Sequence, residues 1–285
     1  MHNKLKMAVN IAMIEFKRWM KSPKLIIVPV LLIFIRNLIT GPLVDAGKET
    51  GYKLSVFEPF IALTNSGFVL LLIPLCFMVL MADFPQKELI DDLYHIRTEK
   101  RTWMVGQLLF ALTATVSFVL FLMLSTMLMV SGNAEFKTDF STGITNYEAI
   151  FPERYGGLVG ELIPVNLYNQ MTLLQTMFLT LVSLFAYLML LALVLLFMTI
   201  MGHKEAGVLT DIFLIVGGTV CCAAKIDLQW FFPMAHTIPW IHFSEYLSKM
   251  KYPLWKSQLY LYGIVFLMFI LCIVFSRKYD PLKKQ

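Results

Sequence analysis

The sequence predicts an all-α, polytopic membrane protein with about six transmembrane helices, an N-terminal interfacial amphipathic helix and a re-entrant outer segment before the last helix. The chain of 285 residues is 58% apolar and only 15% charged, whereas a soluble domain has about 25% charged residues. Several apolar runs reach the roughly 20 residues that a helix needs to cross the bilayer core. We therefore treat residues 1–285 as one transmembrane domain.

The apolar runs also predict the topology. We place the spans at residues 24–43, 66–82, 104–130, 171–201, 207–224 and 259–275. An even number of spans puts both termini on one side of the membrane. The segments on that side carry 15 Lys and Arg residues, against 8 in the opposite loops. Since cytoplasmic loops are the Lys- and Arg-rich ones, we expect a multi-pass protein of the cell (plasma) membrane with cytoplasmic N and C termini.

Residues 1–23 precede the first span and have the pattern of a helix that lies on the membrane surface. Apolar side chains recur there at helical spacing, while the Lys and Arg residues mostly occupy the other positions. The apolar set is Leu5, Val9, Ala12, Phe16 and Met20. Pro23, a residue that suits the start of a helix, then opens the first span.

Two predicted outer loops differ in character. Residues 131–170 carry five acidic and two basic side chains and form an acidic external loop. Residues 225–258 are interrupted by proline and rich in Trp and Phe, which favour the membrane interface. Irregular backbone at membrane depth has to be buried in protein, so we expect a re-entrant or interface-lying segment.

The sequence gives no sign of an enzyme. Gly41–Lys48 resembles a phosphate-binding loop, but its glycine spacing is wrong and no Ser or Thr follows the lysine. There is no catalytic motif and no zinc spacing, so we expect no catalytic, cofactor or metal site. We interpret His236 and His242 as interface residues. The net charge of +5 reflects contact with membrane lipid in this topology and not a nucleic-acid partner.

Two ionisable residues, Arg36 and Asp211, fall within predicted spans. Intramembrane charges are costly and usually functional. Arg36 is close enough to the outer surface to extend its guanidinium to the headgroups, and Asp211 is expected to have a structural role near the cytoplasmic face. A proton or sodium relay would need more such groups, so ion-coupled transport is disfavoured.

The fourth span carries hydroxyl groups along one face. They recur every three or four residues, which places them on the same side of a helix. The set is Thr172, Thr176, Thr180, Ser183 and Tyr187. This stripe either packs helices together through small polar residues or lines a substrate pathway.

The predicted cytoplasmic loop 83–103 contains a short amphipathic segment. Its apolar positions Leu89, Leu93 and Ile96 share one helix face and are followed by basic residues. The segment is either an ordinary positive loop with Trp103 as its interface anchor, or a helix that docks on a soluble partner.

These elements, in this order, resemble the permeases of the type 2 ABC exporter family. The resemblance is carried by the entry helix ending in EFKRWMKSPK, the loop RTEKRTWMVGQLL, the turn GHKEA and the aromatic outer segment before the last span. The stretch FEPFIALTNSG is similar to permeases of bacterial peptide or antibiotic export and self-protection systems.

The resemblance implies a permease subunit that exports a hydrophobic or amphipathic substrate, such as a peptide or antibiotic. It would pair with a second permease, identical or sister, and with a separate ATP-binding subunit that holds the ATP and magnesium. Residues 1–23 would be the connecting helix, 85–101 the coupling helix, 202–206 a second contact and 225–258 an outer gate. The expected ATPase-coupling residues are Leu89, Leu93, Ile96, Arg97, Lys100, Arg101, His203, Lys204 and Glu205. A non-transporting sensor or immunity subunit and an ion-coupled carrier are the alternatives.

Overall fold

A computed structural model describes residues 2–85, 99–244 and 249–276. In these ranges the chain is almost entirely helical, with one pair of two-residue strands. The helices are α1 His2–Trp19, α2 Ile27–Ile35, α3 Gly41–Thr50, α4 Glu58–Asn65, α5 Gly67–Met81, α6 Lys100–Val130, α7 Thr142–Thr145, α8 Tyr147–Ile150, α9 Leu158–Leu162, α10 Val165–Tyr168, α11 Leu173–Ile200, α12 Lys204–Ala223 and α13 Leu254–Phe275. The strands are β1 Leu54–Ser55 and β2 Ala134–Glu135.

The predicted all-α membrane architecture is confirmed. Five helical segments are long and apolar enough to cross a membrane: Pro23–Thr50, α6, α11, α12 and α13. The first of them continues seven residues beyond the predicted end at residue 43, because a π-helical turn at Arg36–Thr40 joins α2 to α3 without breaking the helix. Gly51, in the left-handed conformation with φ of 74°, then ends α3.

The second predicted span, residues 66–82, corresponds to α5, and a helix that the sequence did not suggest precedes it. Helices α4 and α5 pass the span criteria together but meet at 90°. The bend is at Ser66, which is extended and caps α5 by accepting a hydrogen bond from the amide of Val69 through its hydroxyl. All eight residues of α4 are buried, so this helix lies inside the protein at the outer end of α5.

Helix α11 is the centre of the bundle, where it contacts α4, α5, α6, α12 and α13. In its most apolar stretch 72% of the residues are buried, against 11% in α13. A helix that is apolar on every side belongs in the interior, whereas α13 leaves most of its apolar surface free for lipid.

Helix α1 packs against the protein on one side and has exposed apolar side chains on another. Ala8 and Ile11 pack on α6 where Gly106 allows a close approach, since a Cβ at Gly106 would lie 2.8 Å from Ile11 Cγ2. The indole nitrogen of Trp19 donates to the carbonyl of Leu80 at 3.1 Å. The predicted membrane-facing residues include Leu5, Val9 and Met20, which are exposed. Ala12 of that set is buried on the protein side, so α1 has two apolar faces.

The outer loops are joined above the spans. Strands β1 and β2 pair in parallel, which connects the segment after α3 to the segment after α6. Lys53 forms an ion pair with Glu135 at 3.0 Å across these strands. Short helices α7 to α9 then contact α3, and α9 also contacts α4. We call this end, with residues 131–170, the outer end, and the end with α1 and the turn before α12 the inner end.

Candidate functional site

A cavity of about 860 Å³ opens at the outer end between the start of α5, helices α9 and α10, the last turns of α12 and the segment that follows α12. Its size is within the range of about 300–1,000 Å³ that is typical of small-molecule sites. We call it the outer cavity. It forms here because α4 turns away from α5 at 90°, leaving room beside Asn65 and Gly67 that the outer loops cover only in part.

The walls of the outer cavity are mostly apolar, with polar groups at a few fixed places. Leu70, Met234 and Ile238 contribute apolar surface. Asn65 donates through Nδ2 to the carbonyl of Leu162 at 2.7 Å, while its buried Oδ1 has no hydrogen-bond partner in the described part of the chain. The buried Nε1 of Trp240 also has none there.

The charges around this cavity are predominantly acidic. Glu148 and Glu161, from the outer loop, line it together with Lys225. Glu148 is fixed by the amide of Gly156, which donates to Oε1 at 3.0 Å. The arrangement suits a molecule with an apolar body and a cationic or hydrogen-bonding group.

The hydroxyl stripe of α11 is buried in the seam between helices. Thr176, Thr180 and Tyr187 have no exposed surface. Ser183 accepts a hydrogen bond from Nε2 of Gln258 on α13 at 2.8 Å. The outermost member, Thr172, caps α11 in a capping box with Gln175. These contacts are those of helix packing, one of the two roles that the pattern left open.

The two intramembrane ionisable residues have different surroundings. Arg36 is exposed within the π-helical turn. Its neighbour Phe34 is 6.0 Å, between ring centroids, from Phe68 at the outer start of α5, which places Arg36 in the outer part of the first helical segment. Asp211 is completely buried in α12, and neither carboxylate oxygen has a hydrogen-bond partner in the described ranges. No hydrogen-bond partner of Asp211 is therefore observed among those residues.

The predicted coupling residues fall into two groups. Leu89, Leu93, Ile96 and Arg97 lie outside the described residues. Lys100 and Arg101 are exposed in the first turn of α6, and His203 and Glu205 are exposed where α12 begins, with Lys204 partly buried. All five are at the inner end of the bundle.

Histidines 236 and 242 occupy a site that the sequence analysis did not predict. Both imidazoles are buried and point at the hydroxyl of Ser257, with His236 Nδ1 and His242 Nε2 each 2.7 Å from Ser257 Oγ. Each outer ring nitrogen meets a carbonyl: His236 Nε2 that of Trp230 at 3.0 Å, and His242 Nδ1 that of Ile238 at 2.9 Å. A spacing of six residues does not indicate that two side chains share a site. The two histidines reach the same hydroxyl because each lies in a separate short 3-10 helix.

Burial lowers the pKa of both histidines, that of His242 to about 4. For His242 the neighbouring ring of His236 lowers the pKa further, while the carbonyl contacts raise it. No group of three or more His, Cys, Asp or Glu side chains that could hold a metal occurs in the part of the chain that is described. All four cysteines are free; Cys76, Cys221 and Cys272 are buried and Cys222 is partly buried.

Comparisons with protein-family models, with curated proteins and with solved structures found no match to this chain.

Proposed function

We propose that this chain is the membrane-spanning permease subunit of an ATP-driven exporter. It lies in the cell membrane with both termini in the cytoplasm and works with a separate ATP-binding subunit and a second permease, identical or sister. The chain itself binds no ATP, because hydrolysis belongs to the partner.

The observation that carries this proposal is the way α1 lies along the first turns of α6. Lys4 pairs with Glu99 at 2.6 Å, Ile11 fits against Gly106, and Glu15 accepts from Nε2 of Gln107 at 3.3 Å. The connecting helix is thereby joined to Glu99 within the proposed coupling helix and to residues of α6 that follow it. A push on residues 85–101 by an ATPase would reach α1 and α6 together.

The outer cavity supports an amphipathic substrate. Its apolar walls and the acidic residues at its edge together favour a cationic amphipathic molecule, a class that includes many peptides. The substrate leaves through this cavity, at the end of the bundle opposite the coupling residues.

A second candidate, an ion-coupled carrier, is favoured by Asp211. A buried carboxylate without a hydrogen-bond partner in the described ranges is costly inside a membrane protein, and a bound cation or proton would offset that cost. The two candidates differ in energy source, which can be measured directly.

The test uses the tagged chain expressed in its own host. We expect an ATP-hydrolysing subunit to copurify with it in mild detergent. Inverted membrane vesicles should accumulate a fluorescent cationic amphipathic dye when ATP is added, and an ionophore that collapses the proton and sodium gradients should not stop this accumulation. Uptake that depends on the ion gradient and not on ATP would favour the ion-coupled carrier over the exporter. No ATPase and no uptake would favour the sensor or immunity subunit.

A further inference from the structure

The two buried histidines and Ser257 form a chain of four contacts, and the hydrogen atoms available for these contacts can be counted. The contacts run from the carbonyl of Trp230 through His236, Ser257 and His242 to the carbonyl of Ile238. All four distances, 2.7 to 3.0 Å, are those of hydrogen bonds. The carbonyls at both ends can only accept, so each imidazole has to use an N–H on its outer nitrogen.

If both imidazoles are neutral, the two contacts at Ser257 Oγ have only one hydrogen between them. A neutral imidazole carries one N–H, which the carbonyl takes, and its other nitrogen then accepts. Two neutral imidazoles therefore present two acceptors to Ser257, whose hydroxyl has one hydrogen. One of the two contacts at 2.7 Å would then place an imidazole lone pair against a hydroxyl lone pair.

We propose that His236, Ser257 and His242 form a proton-binding site, in which one proton beyond the neutral complement is shared between the two imidazoles through the serine hydroxyl. With that proton, one ring donates to Ser257 Oγ while the hydroxyl donates to the other ring, and all four contacts become hydrogen bonds. Reversing the central hydrogen bonds moves the charge from one ring to the other.

The surroundings limit the site to a single charge. Burial opposes a charge on either ring, and once one ring is charged, the repulsion between the two rings opposes a second proton. One positive charge is favoured by the aromatic rings around the pair. Trp230 lies 5.8 Å from His236 and 5.2 Å from His242, and the Tyr260 ring lies 4.4 Å from His236, all between ring centroids.

The other titratable groups near the pair are two tyrosines and the charged residues around Trp230. Tyr252 packs against both histidines, with ring centroids at 5.6 Å and 6.2 Å, and the Tyr260 hydroxyl donates to the carbonyl of Phe231. The charged residues close to Trp230 are Asp227, Lys225, Lys249 and Lys251, which line a separate cavity on its outer side. Glu245 lies outside the described residues. Among the described groups no carboxylate bonds to either imidazole.

The site joins two parts of the outer end. Both histidines belong to the 3-10 segment after α12, whereas Ser257 lies in the first turn of α13. Proton uptake therefore tightens the attachment of this segment to the last span, and proton loss weakens one of its two central contacts.

The indole of Trp230 can report the proton, because an imidazolium in ring contact quenches indole fluorescence. The full chain, with Trp19, Trp103, Trp240 and Trp255 changed to Phe, is purified in detergent and titrated from about pH 8 to about pH 4, a range that includes the ordinary histidine pKa of 6.5 and the value of about 4 for His242. We expect one quenching step with the slope of a single proton.

Variants distinguish the shared proton from titration of an isolated histidine. Ser257→Ala removes the hydroxyl that accepts from the charged ring, so its midpoint should fall by about one pH unit or more. Ser276→Ala, on the same helix, loses a hydroxyl that bonds only to the carbonyl of Ile273 and should keep the original midpoint. His242→Gln offers an uncharged amide donor to Ser257 and should also lower the midpoint. It provides a second measurement should Ser257→Ala fail to fold.

Three results would overturn the proposal. These are the absence of a step in the parent protein, equal midpoints for the parent and both histidine-site variants, and a slope of two protons. Quenching by added zinc at constant pH that disappears in His242→Gln would assign the pair to a metal ion and would also overturn it.

Discussion

The carboxylate of Glu58 and the two donors of Ser141 meet in a buried contact that spans 83 residues of sequence. The amide of Ser141 donates to Glu58 Oε1 at 2.6 Å and its hydroxyl to Oε2 at 3.0 Å. Oε2 also accepts from the amide of Ser55 at 2.9 Å. Both side chains are fully or almost fully buried. This contact fixes the acidic outer loop to the start of α4.

Removing the hydroxyl of Ser141 should destabilise the outer end. Ser141→Ala loses one hydrogen bond to a carboxylate, which contributes about 1.5–3 kcal/mol, so the unfolding temperature in detergent should fall. Ser131→Ala is the control, because that exposed hydroxyl bonds only to the carbonyl of Leu128 in its own helix. Equal unfolding temperatures for the two variants would contradict the assigned role of the contact.

The topology can be tested at two exposed positions. In a background without native cysteines, Thr138→Cys in the acidic loop should react with an impermeant thiol reagent in intact cells, and Glu205→Cys only after the membrane is opened. Both side chains are exposed, whereas Ser141 is buried and unsuitable. Labelling of Glu205→Cys alone in intact cells would invert the topology.

Filling the outer cavity should reduce transport without unfolding the protein. A Cβ at Gly67 meets no atom within 4 Å, so Gly67→Leu can be accommodated and would extend into the cavity that this residue lines. We expect lower dye accumulation in vesicles at an unchanged unfolding temperature. Gly132→Leu, also in open space but beyond the end of α6, is the control. Loss of transport in both variants would argue against a role for the cavity.

The hydroxyl stripe offers a choice between packing and pathway. Thr180 is fully buried and its hydroxyl has no partner in the described part of the chain, so Thr180→Val keeps the shape and removes an unsatisfied group. We expect an equal or higher unfolding temperature and unchanged transport. Thr176→Val, which removes a bond from the hydroxyl to the carbonyl of Thr172 at 2.9 Å, serves for comparison. Reduced transport in Thr180→Val at full stability would instead favour the pathway.

The coupling-helix assignment is tested by Leu93→Asp, a position outside the described residues. If Leu93 seats in a groove of the ATPase, a buried charge there should reduce copurification or uncouple hydrolysis from transport. Arg101→Ala should have little effect, because an exposed charge contributes only about 0–1 kcal/mol. Membrane insertion should be normal in both. A Leu93→Asp protein with normal copurification and transport would contradict the coupling-helix assignment.

The apolar runs alone predicted the spans, because length and hydropathy are enough to identify a helix that must satisfy its own backbone in lipid. Their limits differ by only a few residues for α6, α11, α12 and α13. The bend between α4 and α5 escaped prediction because it depends on the extended conformation and capping of a single residue, Ser66.

The packing of α1 and the histidine site could not be predicted for a different reason. The prediction for α1 relied on the apolar set that begins with Leu5. The buried face of α1 includes Ala8 and Glu15, which are not in that set, and this face packs against a glycine, Gly106. Ser257 lies 15 and 21 residues from the two histidines, and only the tertiary fold brings them together. Asp211 was identified from its place in a span, but its lack of a hydrogen-bond partner among the described residues is a property of the packed bundle.

The close fit between Ile11 and Gly106 has a mechanical consequence. A side chain at position 106 would meet Ile11, so we expect α1 and the first turns of α6 to move together. The indole of Trp19 also bonds to the last turn of α5 at Leu80. A displacement of α1 should therefore be transmitted to both α5 and α6.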